Sequence, residues 1–138
     1  MKKNGKVRPC VDYGRLNSVT KKDAFPLPRI QDCLDTTSGA TLFSTFDLTS
    51  GFHQIPVNLR DVHKTAFVKK YGLYEYKTLP MGLCNGPPTC QRLMELVLNG
   101  LQWQICLIYL NDVIVFGSSF SFRFRDWRQF FKESLMLV

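Results

Sequence analysis

Apolar side chains recur at helical spacing over residues 87–101, which predicts the clearest helix of the chain. Pro87 opens this stretch, as proline does at the first turn of a helix. The apolar positions on its predicted inner face are Cys90, Leu93, Met94, Val97, Leu98 and Leu101. A second helix is predicted over residues 28–38, because Pro28 lies at its first turn and Gly39 follows its end.

Runs of β-branched and aromatic residues predict strands at 41–48 and on both sides of Asn111 and Asp112, in WQICLIYL-ND-VIVF. Two apolar runs separated by two turn-forming residues are typical of a β-hairpin, and Asn111 tolerates the positive φ of a tight turn. Strands and helices alternate without a regular βαβ rhythm, so the pattern predicts an α+β fold with an antiparallel sheet. Shorter extended segments are predicted at 7–13, 64–68 and 73–79, the last two paired.

The composition is that of a folded domain or a piece of one. The chain has 138 residues, of which 45% are hydrophobic, and no apolar run approaches the roughly 20 residues of a membrane helix. The start, MKKNGKVRPC, has no apolar stretch behind its basic residues, so no signal peptide is expected. Its five cysteines form no C-x-x-C pair, which favours a reducing compartment, the cytosol or the nucleus.

Positive charge is concentrated near the N-terminus. The chain carries 18 Lys and Arg against 11 Asp and Glu, a net charge of +7, and residues 1–30 hold eight of the bases and two of the acids. A basic arm on a near-neutral body suits a polyanion such as a nucleic acid or a nucleotide triphosphate. A solvated surface without a partner is the alternative.

Two acids stand out by their context. Asp47 ends an apolar strand, and Asp112 lies at the tip of a hairpin with hydrophobic arms. If both strands belong to one sheet, the two carboxylates converge and can hold Mg²⁺ for two-metal phosphoryl transfer. The alternative is that each acid is an ordinary turn or cap residue.

Four blocks resemble those of reverse transcriptases in the same order, and most closely those of gypsy-class LTR retrotransposons. They read VRPCVDYGRLNSVTKKDAFPLPRI, FSTFDLTSGFHQIPV, KTAFVKKYGLYEYKTLPMGLCNGPPTCQRLM and IYLNDVIVF. The resemblance implies a partial reverse transcriptase domain at residues 1–118, made of the fingers and palm of a right-hand polymerase. It implies an antiparallel palm sheet with packed helices and no thumb. Residues 119–138 form a divergent tail, predicted either to cover core or to stack on single-stranded nucleic acid.

The activity that the resemblance implies is RNA-directed DNA synthesis. A primer 3′-hydroxyl attacks a dNTP on an RNA or DNA primer–template, with two Mg²⁺ ions held by Asp47, Asp112 and the carbonyl of Leu48. Membranes have no part in it. The residues expected to contact the nucleotide or the template are Arg8, Phe52, Met81, Gly82 and Gln91. Those expected to support the first block structurally are Asp12, Tyr13, Leu16 and Asn17.

The chain departs from the family pattern where the metal is held. The family turn reads Tyr-x-Asp-Asp, whereas here it reads Tyr109-Leu110-Asn111-Asp112, so a neutral amide stands in place of one acid. Cys90 likewise replaces an aromatic residue, and Gly14 a basic one. We therefore expect a degenerate, inactive fragment of a polymerase. The alternatives are a non-catalytic nucleic-acid-binding remnant and a vestigial protein without molecular function.

Overall fold

The computed structural model describes residues 10–119. They form α1 (Gly14–Val19), α2 (Ile30–Thr36), β1 (Leu42–Asp47), β2 (Phe67–Lys69), β3 (Gly72–Tyr74), α3 (Gly86–Val97), β4 (Cys106–Tyr109) and β5 (Asp112–Gly117). The described residues divide into two units, a first unit of residues 10–23 and 52–86 and a second unit of residues 24–51 and 87–119. Helices combined with antiparallel strands confirm the predicted α+β class.

The second unit is built on a three-stranded antiparallel sheet in the order β1-β5-β4. Alternate residues of a strand face opposite sides, and directly paired residues share a side. One side of this sheet is a core of β-branched and other apolar side chains from β4 and β5. Its members, each 0 or 1% exposed, are Cys106, Ile108, Val113 and Val115.

Helix α3 supplies the rest of the core of the second unit. The side chains of Cys90 and Met94 on its inner face, and of Leu98 directly after its end, are at most 6% exposed. The helix is shorter than the predicted span of 87–101. It ends at Val97, and Gly100 adopts a φ of +83°, which only glycine adopts without strain.

The hairpin between β4 and β5 forms as predicted, but its turn is shifted by one residue. The turn residues are Leu110 and Asn111, and the positive φ, 56°, is found at Leu110 rather than at Asn111. Asp112 is therefore the first residue of β5 instead of the tip of the hairpin. This shift places Asp112 in register with residues of both neighbouring strands.

The first unit holds a short β2–β3 hairpin, which confirms part of the predicted pairing of 64–68 with 73–79. The hairpin pairs only 67–69 with 72–74, and the following segment pairs instead with residues 55–57. There the backbone N–H of Leu79 donates to the carbonyl of Ile55, 2.8 Å away. Residues 62–65 form a 3₁₀ turn, because the hydroxyl of Thr65 accepts from the N–H of Tyr76 and donates to the carbonyl of Val62.

The start of the described chain also differs from the prediction. Of the strand expected at 7–13, residues 10–13 are not extended into a sheet, and the remainder lies outside the described residues. Helix α1 follows at once, and the carboxylate of Asp12 accepts from the N–H of Gly14 at 2.8 Å in an Asx turn. No helix within residues 10–119 has the length and the apolar character needed to cross a membrane.

Candidate metal centre

The carboxylates of Asp47 and Asp112 come from directly paired residues of β1 and β5. The two side chains therefore lie on the same side of the sheet, at its end. Both residues are exposed to solvent. Within residues 10–119, no hydrogen bond or ion pair engages either carboxylate, so both keep their lone pairs for an outside ligand.

Two facing carboxylates are a donor set that suits a divalent cation. Mg²⁺ is commonly held in proteins by one or two carboxylates together with water and substrate phosphates, so this pair fits such an ion. No group of three His, Cys, Asp or Glu side chains that could hold a metal occurs among the described residues. The carbonyl of Leu48, predicted as a further ligand, accepts a hydrogen bond from the N–H of Gly51 at 3.2 Å.

The side chain of Asn111 is held by its own neighbours. Its amide oxygen lies 3.2 Å from the thiol of Cys90, which donates to it from the buried face of α3. Gly51 closes the other side, since a Cβ there would lie 2.6 Å from the same oxygen. The backbone carbonyl of Asn111 accepts from the N–H of Leu48 at 3.0 Å and so ties the turn to the end of β1.

Gln91 fixes the backbone of the same turn. Its side chain is 0% exposed, its oxygen accepts from the N–H of Leu110 at 2.8 Å, and its nitrogen donates to the carbonyl of Ile108 at 3.2 Å. The nitrogen also donates to the carboxylate of Glu95, 2.8 Å away. In this structure Gln91 thus holds the hairpin that carries Asp112. Its predicted contact with nucleotide or template stays a prediction.

Three of the predicted nucleotide-contacting residues lie in the first unit. Phe52 is half-buried, and its ring lies 3.5 Å from the position of a Cβ on Gly86, so glycine there leaves room for the ring. Met81 is 44% exposed. Gly82 has a φ of +101°, and a Cβ on it would lie 3.4 Å from the carbonyl of Val11. Arg8 lies outside the described residues.

Two residues of the first sequence block, Tyr13 and Asn17, hydrogen-bond to other loops of the first unit. The side-chain nitrogen of Asn17 donates to the carbonyl of Gly82 at 2.8 Å, and its oxygen accepts from the N–H of Cys84 at 2.9 Å. The hydroxyl of Tyr13, which is 5% exposed, donates to the carbonyl of Thr65. Burial raises the pKa of this phenol above its ordinary value, so it remains a neutral donor.

Sequence reasoning missed the roles of Cys90 and Gly51 at the turn. Cys90 stood out only as a substitution within an apolar helix face, and Gly51 only as part of a turn signal. Nothing in their spacing indicates a contact with Asn111, because the three residues come together only when α3 and β1 meet the hairpin. The buried environment raises the pKa of the Cys90 thiol, so it is a neutral donor at physiological pH.

Comparison with known proteins identifies the fold and the family. A family model described as reverse transcriptase (RNA-dependent DNA polymerase) matches residues 1–133. The fold is similar to that of a foamy viral protease–reverse transcriptase solved in complex with double-stranded DNA. The TM-score is 0.85 and the identity 21%, over 99% of this chain and 24% of that one.

Curated relatives agree with that assignment. The chain is 42% identical to a Retrovirus-related Pol polyprotein from transposon 297 of Drosophila melanogaster, over 83% of this chain and 11% of the polyprotein. It is 37% identical to an RNA-directed DNA polymerase homolog of Oenothera berteroana, over 80% of this chain and 78% of the homolog. It thus spans about a tenth of the Drosophila polyprotein. Family match and identity together establish that the chain belongs to the reverse transcriptase (RNA-dependent DNA polymerase) family.

Proposed function

We propose that this chain carries the polymerase site of a gypsy-class LTR retrotransposon reverse transcriptase, in a degenerate form that Asn111 leaves inactive. The pairing of Asp47 with Asp112 across β1 and β5 is the observation that carries the proposal. The reaction is template-directed transfer of a nucleotide from a dNTP to a primer 3′-hydroxyl. The partner is an RNA or DNA primer–template, in line with the double-stranded DNA bound by the similar foamy viral protein.

The two facing carboxylates supply the negative charge that gathers divalent cations. Asp47 and Asp112 are the proposed Mg²⁺ ligands, with the carbonyl of Leu48 beside them. Bound there, the ions supply positive charge that activates the attacking oxygen and stabilises the leaving one. The chain itself orients the site, since Gln91 holds the hairpin and Asn111 ties it to the end of β1. In this proposal Arg8, Phe52, Met81 and Gly82 receive the dNTP.

Asn111 is the proposed cause of the inactivity. Its amide is neutral, so the three positions of the site carry a charge of −2 where the family pattern gives −3. Its oxygen is also engaged by the thiol of Cys90 at 3.2 Å. Two charges about 4 Å apart interact by about 1 kcal/mol in water and about 4 kcal/mol near a protein surface. For a divalent cation these energies double, so loss of one carboxylate is expected to weaken metal binding by at least about tenfold.

Mg²⁺-dependent primer extension on an RNA template tests the proposal. The unaltered chain is compared with Asn111→Asp and with Asp47→Asn, and the affinity of each for Mn²⁺ is measured by electron paramagnetic resonance. We expect no extension by the unaltered chain, extension and tighter Mn²⁺ binding with Asn111→Asp, and weaker Mn²⁺ binding with Asp47→Asn. An affinity for Mn²⁺ that Asp47→Asn leaves unchanged contradicts the proposed metal site. If no folded variant extends the primer, Asn111→Asp included, the catalytic proposal is contradicted and the non-catalytic alternative is supported.

A further inference from the structure

The β2–β3 hairpin presents aromatic rings and lysines on one surface of the first unit. We define the aromatic hairpin surface as Phe67, Lys69, Lys70, Tyr71, Tyr74 and Tyr76. Tyr71, in the turn, is 83% exposed, and Tyr74, on β3, is 44% exposed. The Tyr71 ring is thus almost wholly in water, and the Tyr74 ring keeps nearly half of its surface there.

The rings of Phe67, Tyr74 and Tyr76 form a continuous row. Phe67 pairs with Tyr74 across the two strands, their ring centroids 5.8 Å apart, and the ring of Tyr76 lies 5.2 Å from that of Phe67. The imidazole of His53 extends the row, 6.0 Å from Tyr76 and almost parallel to it. Because each ring is braced by the next, the row is preorganised and loses little side-chain entropy when a flat ligand stacks on it.

Positive charge accompanies the rings. The ammonium of Lys69 lies 5.4 Å from the centre of the Phe67 ring, and that of Lys70 lies 5.3 Å from the centre of the Tyr71 ring. Residues 67–77 carry three lysines against one acid, Glu75. Within the described residues, the ammonium of Lys64 has an ion pair with Asp61, whereas those of Lys69 and Lys70 have none. Their charges remain available to a polyanion.

We propose that the aromatic hairpin surface binds single-stranded nucleic acid, with bases stacked on its tyrosines and phosphates held by Lys69 and Lys70. Such combinations of stacking rings and a basic track bind single strands with little sequence preference. The inference deepens the proposed function, and it rests on that function only in taking a polynucleotide as the partner. It assigns the binding site of the single strand to the β2–β3 hairpin, which does not contain the paired aspartates Asp47 and Asp112.

Fluorescence anisotropy with a labelled oligo(dT), longer than the ~4–16 nucleotides that such a surface covers, tests the inference. The chain is titrated between about 50 and about 200 mM NaCl, because each phosphate contact on a single strand contributes about 0.7 to the logarithmic salt slope. Lys69→Ala combined with Lys70→Ala is expected to lower that slope by about 1.4. The matched control, Arg60→Ala with Lys64→Ala, removes the same charge from exposed positions of the first unit outside the hairpin and the basic arm, and is expected to leave the salt slope unchanged.

The stacking contribution is tested separately. Tyr71→Ala with Tyr74→Leu is expected to weaken binding at least fivefold without changing the salt slope, since each stacked base contributes about 1–3 kcal/mol. The control, Trp103→Leu, removes a ring that is 41% exposed outside the hairpin, and it is expected to leave the affinity for oligo(dT) unchanged. Thermal melts confirm that each variant is folded.

The outcomes separate this inference from the proposed function. If the unaltered chain binds neither the single strand nor a duplex, both fail. If it binds, but the hairpin variants match their controls, the hairpin inference alone is wrong. If the hairpin variants change only the mass of the free chain in sedimentation, the surface joins two copies of the protein, which also overturns the inference.

Discussion

The thiol of Cys90 donates to the side-chain oxygen of Asn111 across 3.2 Å. The resemblance to reverse transcriptases leads us to expect departures from the family pattern at both residues, which are 21 positions apart in the sequence. The fold thus brings two residues that are distant in sequence into direct contact. With Asn111 at the turn, this contact with α3 forms and β4 and β5 pair.

Cys90→Ala is expected to destabilise the chain by about 1–2 kcal/mol, through the loss of the hydrogen bond and of a buried sulfur. The measurement is the free energy of unfolding in urea. In an Asn111→Ala background the same change is expected to cost about 0.5–1 kcal/mol less, because the acceptor is gone. Equal costs in the two backgrounds contradict the contact. Cys33→Ala, at a half-buried position of α2, serves as the control.

Gly51→Ala is expected to destabilise the chain by about 1–3 kcal/mol, because its Cβ would lie 2.6 Å from the Asn111 oxygen and 3.3 Å from the Cβ of Leu48. Combining it with Asn111→Ala removes the first of these clashes, so part of the loss is recovered. Thermal unfolding of the two single variants and the double variant gives the coupling free energy between Gly51 and Asn111. Strictly additive losses show that Asn111 does not fill the space beside Gly51.

Gln91→Met keeps the approximate size of the side chain and removes both hydrogen bonds to the hairpin. The carbonyl of Ile108 and the N–H of Leu110 lose their partner, which is expected to cost about 2–4 kcal/mol of unfolding free energy. The exposed Gln104→Met is expected to change stability by less than about 0.5 kcal/mol. A purely nucleotide-contacting Gln91 gives the opposite result, namely unchanged stability and a higher KM for dNTP.

Burial raises the pKa of the Cys106 thiol to about 12, from an ordinary value of 9.0. The folded state holds this proton more tightly than the unfolded state does. The resulting contribution to stability is complete below about pH 9 and is lost as the pH rises towards 12. Cys106→Ala is expected to show a smaller loss of stability over this range. If the unaltered chain and Cys106→Ala lose stability identically between about pH 9 and 12, this would falsify the raised pKa of Cys106.

Thiol labelling follows from the same burial. At pH 8 the exposed Cys10 is expected to react with iodoacetamide in the native protein, whereas Cys106, with 0% exposure, is expected to react only after unfolding. Mass spectrometry of the labelled peptides distinguishes the two sites. Rapid native labelling of Cys106 shows that the β4–β5 core opens.

Much of the fold could be predicted from local patterns. The α3 periodicity, the strand at 41–48 and the hairpin around Asn111 each depend on residues close together in the chain, and each is present. The misses lie where turn chemistry competes with propensity. The 64–68 segment reads as extended, yet the hydroxyl of Thr65 bonds to the backbone of Val62 and Tyr76 and favours a 3₁₀ turn.

The sequence by itself determined the family, the α+β class and the two acids, because these follow from motif order, side-chain spacing and residue chemistry. Only the tertiary structure decided that Asp47 and Asp112 are direct partners across β1 and β5, and that Cys90 and Gly51 enclose Asn111. A one-residue shift of a turn changes which side chains share a face of a sheet. Contacts between residues distant in sequence depend on that register and on packing, which no local pattern encodes.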